Sequence, residues 1–291
     1  MKTLVILGSG GRLGAALARG YAQETRVIGF NHSQLDLANP QAIESALGAL
    51  EFDALVNCAA LTNVDYCETH REEAFAINAQ AAGQIGAICA RKKARCIHIS
   101  TDYVFDGAKN TPYLETDEAL PLSVYGESKR QGEIELLQSS PDHLAARVAW
   151  VFGPDRPSFV DQILKRALET DQLQAIGDKW STPTSTQDLV EWLRPLLWEH
   201  RVGGLMHLTQ SGACTWQEYG QFALDRAWEA GLPLKGRTVG FQAMASLAAF
   251  VAKRPVHTVL STQRFAALTG QTPRCWQEAV AEYVRGWKPT V

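Results

Sequence analysis

Nowhere does this sequence stay apolar for the ~18 residues that a membrane-spanning helix needs. Its longest small-and-apolar stretch, Ala243 to Ala252, falls well short. Leu4-Val5-Ile6-Leu7 is too short for the apolar region of a signal peptide and runs straight into glycines, so it reads as a first strand. Charge of one sign is also lacking. Lys and Arg number 28 against 31 Asp and Glu, a net −3, which leaves no overall field to attract nucleic acid or an anionic membrane. The one compact basic cluster, Arg91, Lys92, Lys93 and Arg95, falls at the end of an apolar-periodic helix, where cations favour the negative end of the dipole. The six cysteines (Cys58, Cys67, Cys89, Cys96, Cys214, Cys275) show no paired metal-ligand spacing, and several sit in apolar runs where a thiol packs as a small hydrophobe. No metal ligand is expected, and a reducing cytoplasm is the expected setting. There is no internal repeat and no low-complexity linker.

What is present is alternation. Short β-rich runs at Thr3 to Leu7, Arg26 to Phe30, Ala54 to Asn57, Cys96 to Ser100 and Leu144 to Val151 are separated by helical patterns at about Arg12 to Gln23, Pro40 to Leu50, Glu72 to Lys92 and Tyr125 to Leu137. This rhythm predicts βαβ units and hence a doubly wound α/β fold, a parallel sheet covered by helices on both faces. After Gly153 the rhythm breaks. Helices are expected at Ser158 to Leu168, Gln187 to Trp198, Trp216 to Ala230 and Trp276 to Trp287, with one more strand at Gly204 to Thr209. The predicted organisation is a nucleotide-binding domain of residues 1–152 plus about 180–210. A smaller, discontinuous lobe of about 153–179 plus 211–291 closes over the sheet's carboxyl edge, where open α/β sheets bind ligands.

Gly8-Ser9-Gly10-Gly11-Arg12-Leu13-Gly14 follows the first strand and opens the first helix. Gly8 permits a sharp turn, Gly11 lets backbone approach a pyrophosphate, and Gly14 lets helix pack close to sheet, while the helix start offers free N–H groups to phosphates. In this setting the segment reads as a dinucleotide-binding turn. At the end of the second strand a carboxylate would hold an adenosine ribose, but Phe30-Asn31-His32-Ser33 stands there. With no acid to repel a 2′-phosphate and Arg12 within reach of one, NADP is favoured over NAD. Asp36 has two readings, a contact to adenine edges or a cap for the helix that begins at Pro40. Ala59-Ala60-Leu61, after the strand ending at Asn57, suits close passage of a dinucleotide, with buried packing of small residues as the competing explanation.

Ser100-Thr101-Asp102 ends a strand, and Tyr125 and Lys129 lie four residues apart at the start of a helix. That spacing puts phenol and ammonium on one helical face, where the cation would lower the phenol's pKa towards working pH. Carbonyl reduction needs such an acid, because hydride arriving at carbon leaves an alkoxide that must be protonated. Thr101 can hold the carbonyl oxygen beside Tyr125, and Lys129 can also grip a nicotinamide ribose. Thr101, Tyr125 and Lys129 are therefore the candidate catalytic residues.

With these residues in place, five segments closely resemble the dTDP-4-dehydrorhamnose reductase family of extended short-chain dehydrogenases. They are the glycine turn, Asn57-Cys58-Ala59-Ala60-Leu61-Thr62-Asn63-Val64-Asp65, Ser100-Thr101-Asp102-Tyr103-Val104-Phe105-Asp106-Gly107, Pro121-Leu122-Ser123-Val124-Tyr125-Gly126-Glu127-Ser128-Lys129 and Arg147-Val148-Ala149-Trp150-Val151-Phe152-Gly153. The likeness continues through Gly204 to Leu208 and Arg254 to Thr258. It implies that backbone around Gly10 to Leu13, with Asp36, Leu37, Ala59, Ala60, Leu61, Tyr125 and Lys129, lines the cofactor. Thr101, Asp102, Tyr125 and Trp150 would face a nucleotide-sugar substrate, and hydride from NADPH or NADH would reduce its 4-keto carbon. The same resemblance extends to a non-catalytic regulatory partner of methionine adenosyltransferase and to sugar-nucleotide epimerases. Ser181 stands where the family carries a glycine, which predicts a change in what fits there. The C-terminal acids that support a metal-linked dimer in some members have no assigned counterpart, so a monomer or a homodimer is expected.

Overall fold

Strands buried on both faces read as nearly continuous apolar runs, and β-rich segments such as Leu4 to Leu7 and Ala54 to Val56 fit that pattern. A computed structural model describes residues 1–247 and 249–289. Ala248, inside the stretch Ala243 to Ala252, lies outside the described residues, as do Thr290 and Val291. In chain order the first half forms β1 (Thr3–Leu7), α1 (Arg12–Tyr21), β2 (Arg26–Phe30), α2 (Pro40–Gly48), β3 (Ala54–Asn57), α3 (Val64–Thr69), α4 (Arg71–Phe75), α5 (Ala81–Arg91), β4 (Arg95–Thr101), α6 (Val124–Ser139) and β5 (Leu144–Val148). The remainder forms β6 (Val151–Phe152), α7 (Phe159–Glu169), β7 (Leu173–Ile176), β8 (Trp180–Ser181), β9 (Thr184–Ser185), α8 (Thr186–Leu196), β10 (Gly204–His207), β11 (Cys214–Thr215), α9 (Trp216–Glu229), β12 (Val239–Gln242), α10 (Gln263–Thr269) and α11 (Trp276–Arg285).

Six strands make one parallel sheet in the order β10-β5-β4-β3-β1-β2, the doubly wound architecture read from the sequence. Alternate residues of β1 feed opposite cores. Leu4 and Ile6 pack with Leu13 and Leu17 of α1 and Leu189 and Leu193 of α8, whereas Val5 and Leu7 pack with Ile43 and Leu47 of α2 and Ile85 and Ile88 of α5. The sheet reverses direction at β1, whose neighbours are β2 on one side and β3 on the other. A crevice must open there above the carboxyl ends of the strands. A third core joins Phe152, Val160 and Leu164 to Leu173, Tyr219, Leu224, Trp276 and Val280, drawn from α7, β7, α9 and α11. Among the described residues, no helix is long and apolar enough to cross a membrane.

Two predicted elements differ. The helix expected from Glu72 to Lys92 is interrupted at Ala76–Gln80 by a π-helical turn, a device common at functional sites. Here it brings Asn78 inward, where its carboxamide donates to the Leu61 carbonyl (3.0 Å) and the Ser128 hydroxyl (3.0 Å) and accepts from the Leu61 N–H (2.8 Å). The strand expected to run to Val151 stops at Val148, because Trp150 takes a positive φ of 39° and turns the chain. Non-glycine residues adopt that conformation only where the surroundings enforce it. The helix α3, the strands β7 and β12 and the helix α10 have no counterpart in the sequence reading.

Helix α6 starts at Ser123, whose side chain accepts from the Gly126 N–H at 3.3 Å. Its inner face approaches the π-turn so closely that a Cβ at Gly132 would collide with the Asn78 carbonyl. Gly132→Ala is expected to cost about 1–3 kcal/mol through forced backbone separation, read as a lower urea midpoint with unchanged slope. An unshifted midpoint would show that α6 and the π-turn separate freely.

Candidate active site

A cleft of about 1100 Å³ runs along the carboxyl edge of the sheet, from the glycine turn to Tyr125 and Trp150. At its start Gly8 has φ +75°, and a Cβ there would stand 2.8 Å from the Ala59 nitrogen, so this turn and the end of β3 require a residue without one. Gly14 has no room either, since its Cβ would meet the Gly8 carbonyl. Gly11 begins α1 with no side-chain cap and no acid in the first turn, which leaves the helix's positive end to the cleft. The fit to a dinucleotide is close, with a backbone cradle at the pyrophosphate's place and no carboxylate to oppose it.

Gly8, Gly10, Gly11, Arg12, Leu13, Asn31, Asp36, Leu37, Ala59, Ala60 and Leu61 all border the cleft, while Gly14 sits behind the turn. Asn31 is anchored by accepting from the Ser33 hydroxyl (2.7 Å) and the Gln34 N–H (3.2 Å). Asp36 closes a turn on the Ala38 N–H (2.9 Å), and Asn39 rather than Asp36 caps α2. Arg12 departs from expectation. Its guanidinium donates to the carbonyls of Val151 (3.0 Å), Arg156 (3.1 Å) and Pro157, so it ties α1 to the later chain instead of reaching for a phosphate. The cation left over the glycine turn is Arg156, whose Nε donates to the Gly10 carbonyl at 2.9 Å and whose side chain borders the cleft. Nothing in its sequence context marked it.

At the far end Thr101, Tyr125 and Lys129 meet, as their spacing suggested. The electrostatics differ from the expectation that the ammonium lowers the phenol. Burial drives the Tyr125 hydroxyl above its ordinary pKa, against a smaller opposing pull from the Thr101 hydroxyl. Burial likewise pushes Lys129 down from 10.5 to about 8. Its nitrogen donates to the Ile99 carbonyl at 2.7 Å and lies 2.9 Å from His98 Nε2, and His98 Nδ1 is in turn 3.1 Å from the Asn57 amide nitrogen. One turn further along α6, Glu133 accepts both prongs of Arg147 at 2.7 Å and the Ser100 hydroxyl at 2.6 Å, all of them buried. Periodicity from Lys129 points at Glu133, but His98, Asn57 and Arg147 are polar residues inside apolar strands, and no sequence pattern singles them out.

Asp102 borders the cleft but is 2% exposed, and its carboxylate is already engaged. One oxygen accepts from the Thr101 hydroxyl at 3.2 Å, and the other from Ser181 at 3.0 Å and from Thr258. Burial raises its pKa against the nearby Lys179, which is itself pushed down to about 8 by burial and donates to the Pro255 carbonyl at 2.6 Å. Asp102 is thus a junction between β4, β8 and the 254–258 segment rather than a free substrate ligand. This also corrects the reading of Ser181. It is buried away from the cleft, and its hydroxyl links to Asp102 without narrowing the space for a ligand.

Trp150 stands half-buried at the cleft's edge with its ring stacked on Trp216, centroids 3.9 Å apart. Behind Trp216 a second hollow of about 260 Å³ is lined by Tyr103, Phe159, Lys179, Phe250 and Arg254. Arg254 is held by both oxygens of Asp65 and lies 3.5 Å from the Phe250 ring centroid.

The RmlD substrate binding domain family matches residues 1–288. The chain is 33% identical over 98% of its length to 98% of the spore coat polysaccharide biosynthesis protein SpsK of Bacillus subtilis. It is 36% identical, over 96% of its length, to 91% of the dTDP-4-dehydrorhamnose reductase of Mycobacterium tuberculosis. Its fold superposes on a crystal structure of dTDP-4-dehydrorhamnose reductase from Bacillus anthracis in complex with NADP, with a TM-score of 0.91 and 24% identity, covering 97% of this chain and 98% of that one.

The buried lysine carries a stability cost. The fall from 10.5 to about 8 corresponds to about 3 kcal/mol held against the ammonium. Because the native pKa lies below the unfolded one, that cost is full below about pH 8 and fades as pH rises to 10.5, so stability climbs across this window. Lys129→Met is expected to raise stability at neutral pH by about 1–3 kcal/mol and to flatten the climb, as read by urea unfolding at several pH values. A destabilised variant with the slope intact would contradict this.

Proposed function

The chain belongs to the RmlD substrate binding domain family, and from that premise we propose that it reduces the 4-keto group of a dTDP-activated deoxysugar with NADPH, converting dTDP-4-dehydro-L-rhamnose to dTDP-L-rhamnose. One observation carries the reading: a single cleft has a phosphate-cradling turn at one end and Thr101, Tyr125 and Lys129 at the other. The cofactor supplies hydride when bound. Tyr125 donates the balancing proton to the carbonyl oxygen as the alkoxide develops, and a phenol held above its ordinary pKa keeps that proton across the working pH range. Thr101 orients the oxygen beside it, and Lys129 grips the nicotinamide ribose. Gly10, Gly11, Arg12 and Leu13 hold the pyrophosphate by backbone, with Asn31, Asp36, Leu37, Ala59, Ala60 and Leu61 around the adenosine and ribose.

Residues about 153–179 and 211–291 form the substrate lobe. Trp150 and Trp216 offer it an aromatic wall, and Lys179 and Arg254 set cationic groups at the second hollow, chemistry suited to a pyrimidine base on a diphosphate. Asp102 shapes this end by holding Thr101. The protein works in the cytoplasm as a monomer or homodimer.

Consumption of NADPH with dTDP-4-keto sugars tests the reading. Tyr125→Phe is expected to lower kcat about 10²- to 10⁴-fold while NADPH still binds, and a variant as active as the parent would remove Tyr125 as the acid. Arg156 favours the 2′-phosphate, taking the part first read for Arg12. Arg156→Ala should raise KM for NADPH about tenfold and leave KM for NADH nearly unchanged, since only a charge-assisted contact of about 1.4 kcal/mol is lost. Equal changes for both cofactors would place Arg156 elsewhere.

A further inference from the structure

Lys129 is held from behind by a chain of buried groups whose donors and acceptors can be counted. The Ala59 N–H donates to Asn57 Oδ1 at 3.1 Å, which fixes the carboxamide and turns its nitrogen, a donor only, toward His98 Nδ1 at 3.1 Å. His98 Nδ1 must then accept. The ring is fully buried and burial holds it well below its ordinary pKa, so it is neutral and carries its one proton on Nε2. Nε2 lies 2.9 Å from the Lys129 nitrogen. An ammonium has no lone pair to receive that N–H, whereas a neutral amine does.

The remaining neighbours leave the amine uncontested. From α6, Glu133 would favour a cation, but both its oxygens are spent on Arg147, and Tyr125 is a neutral phenol. From the end of β3, the Cys58 thiol is pushed up to about 12 and stays protonated. From β4, Ser100 donates to Glu133. Among the described residues, no carboxylate faces Lys129 without a partner of its own.

We propose that His98 is a positioning residue, locked in its Nε2–H form by Asn57, that holds Lys129 as a neutral amine in the free protein at mildly alkaline pH, and that cofactor binding loads a proton onto it. This rests on the NADPH-dependent reading above. A dinucleotide brings anionic charge and oxygen acceptors into the cleft, and both favour the ammonium. Once protonated, Lys129 can no longer accept from His98, so it keeps its bond to the Ile99 carbonyl and turns its other N–H groups toward the oxygens of the ligand. The chain running from Ala59 to Lys129 therefore makes the grip on the cofactor dependent on a proton.

Calorimetric titration of the protein with NADPH, in buffers of different ionisation enthalpy at about pH 9, where the free lysine is mostly the amine, reads the proton directly. We expect uptake of roughly half a proton or more per site, abolished both in Lys129→Met and in His98→Gln, whose amide oxygen can accept from an ammonium already present. Binding without uptake, or uptake unchanged in either variant, overturns the inference and leaves the proposed reduction standing. No NADPH binding at all overturns both. In activity, the basic limb of the kcat/KM profile should move up by about one pH unit in His98→Gln. A fall of equal size at every pH with the limb in place would mark His98 as merely structural and overturn the proposal.

Discussion

The bidentate pair between Glu133 on α6 and Arg147 on β5 is the interaction on which the site's geometry depends. Both side chains are within 1% of full burial, and both carboxylate oxygens take an Arg147 nitrogen at 2.7 Å. A pair desolvated this completely holds only when its geometry is good and its spare donors and acceptors are satisfied. The two 2.7 Å bonds meet the first requirement, Ser100 of β4 helps meet the second by donating to Glu133, and Phe105 offers its ring face to the guanidinium at 4.9 Å. Because α6 is locked to β4 and β5 at this point, its inner face is fixed in rotation as well as position. Tyr125 and Lys129, at successive turns of that face, can then point only at the ends of β3 and β4.

The second constraint joins the sheet to the rest of the chain. Asp102, directly after β4, gathers hydroxyls from Ser181 and Thr258, and Arg12, at the start of α1, takes the carbonyls of residues 151, 156 and 157. Both junction residues border the cleft. A serine in place of a glycine at position 181 adds a bond to the Asp102 junction, which is why it does not act as an obstruction.

Much of this was legible from sequence. β1 and β3 fall where the apolar runs placed them, because strands buried on both faces leave a nearly continuous apolar signal, and the edge strand β2 keeps enough of it to be placed as well. The glycine turn and the pairing of Tyr125 with Lys129 were legible because each is written in local spacing. The turn at Trp150 was not, since no local preference of tryptophan marks a left-handed backbone. Asn78 was hidden for a related reason: a π-turn shifts the register by one residue, so helical periodicity assigns its side chain to the wrong face. The bonds that tie Arg12 and Asp102 into the frame were not legible, because a charged residue at a cleft has the same sequence signature whether its side chain serves the ligand or the frame.

His98 shows why the remainder stays out of reach of pattern reading. Its neighbours Ile97 and Ile99 present it as one residue in a buried strand, and a buried neutral histidine is ordinarily just a satisfied side chain. Its meaning lies in the direction of two hydrogen bonds, and that direction is set three links away by a backbone N–H at Ala59. Spacing along the chain cannot encode such polarity. It arises only when β3, β4 and α6 are brought together, which returns the argument to the Glu133 and Arg147 pair that brings them there.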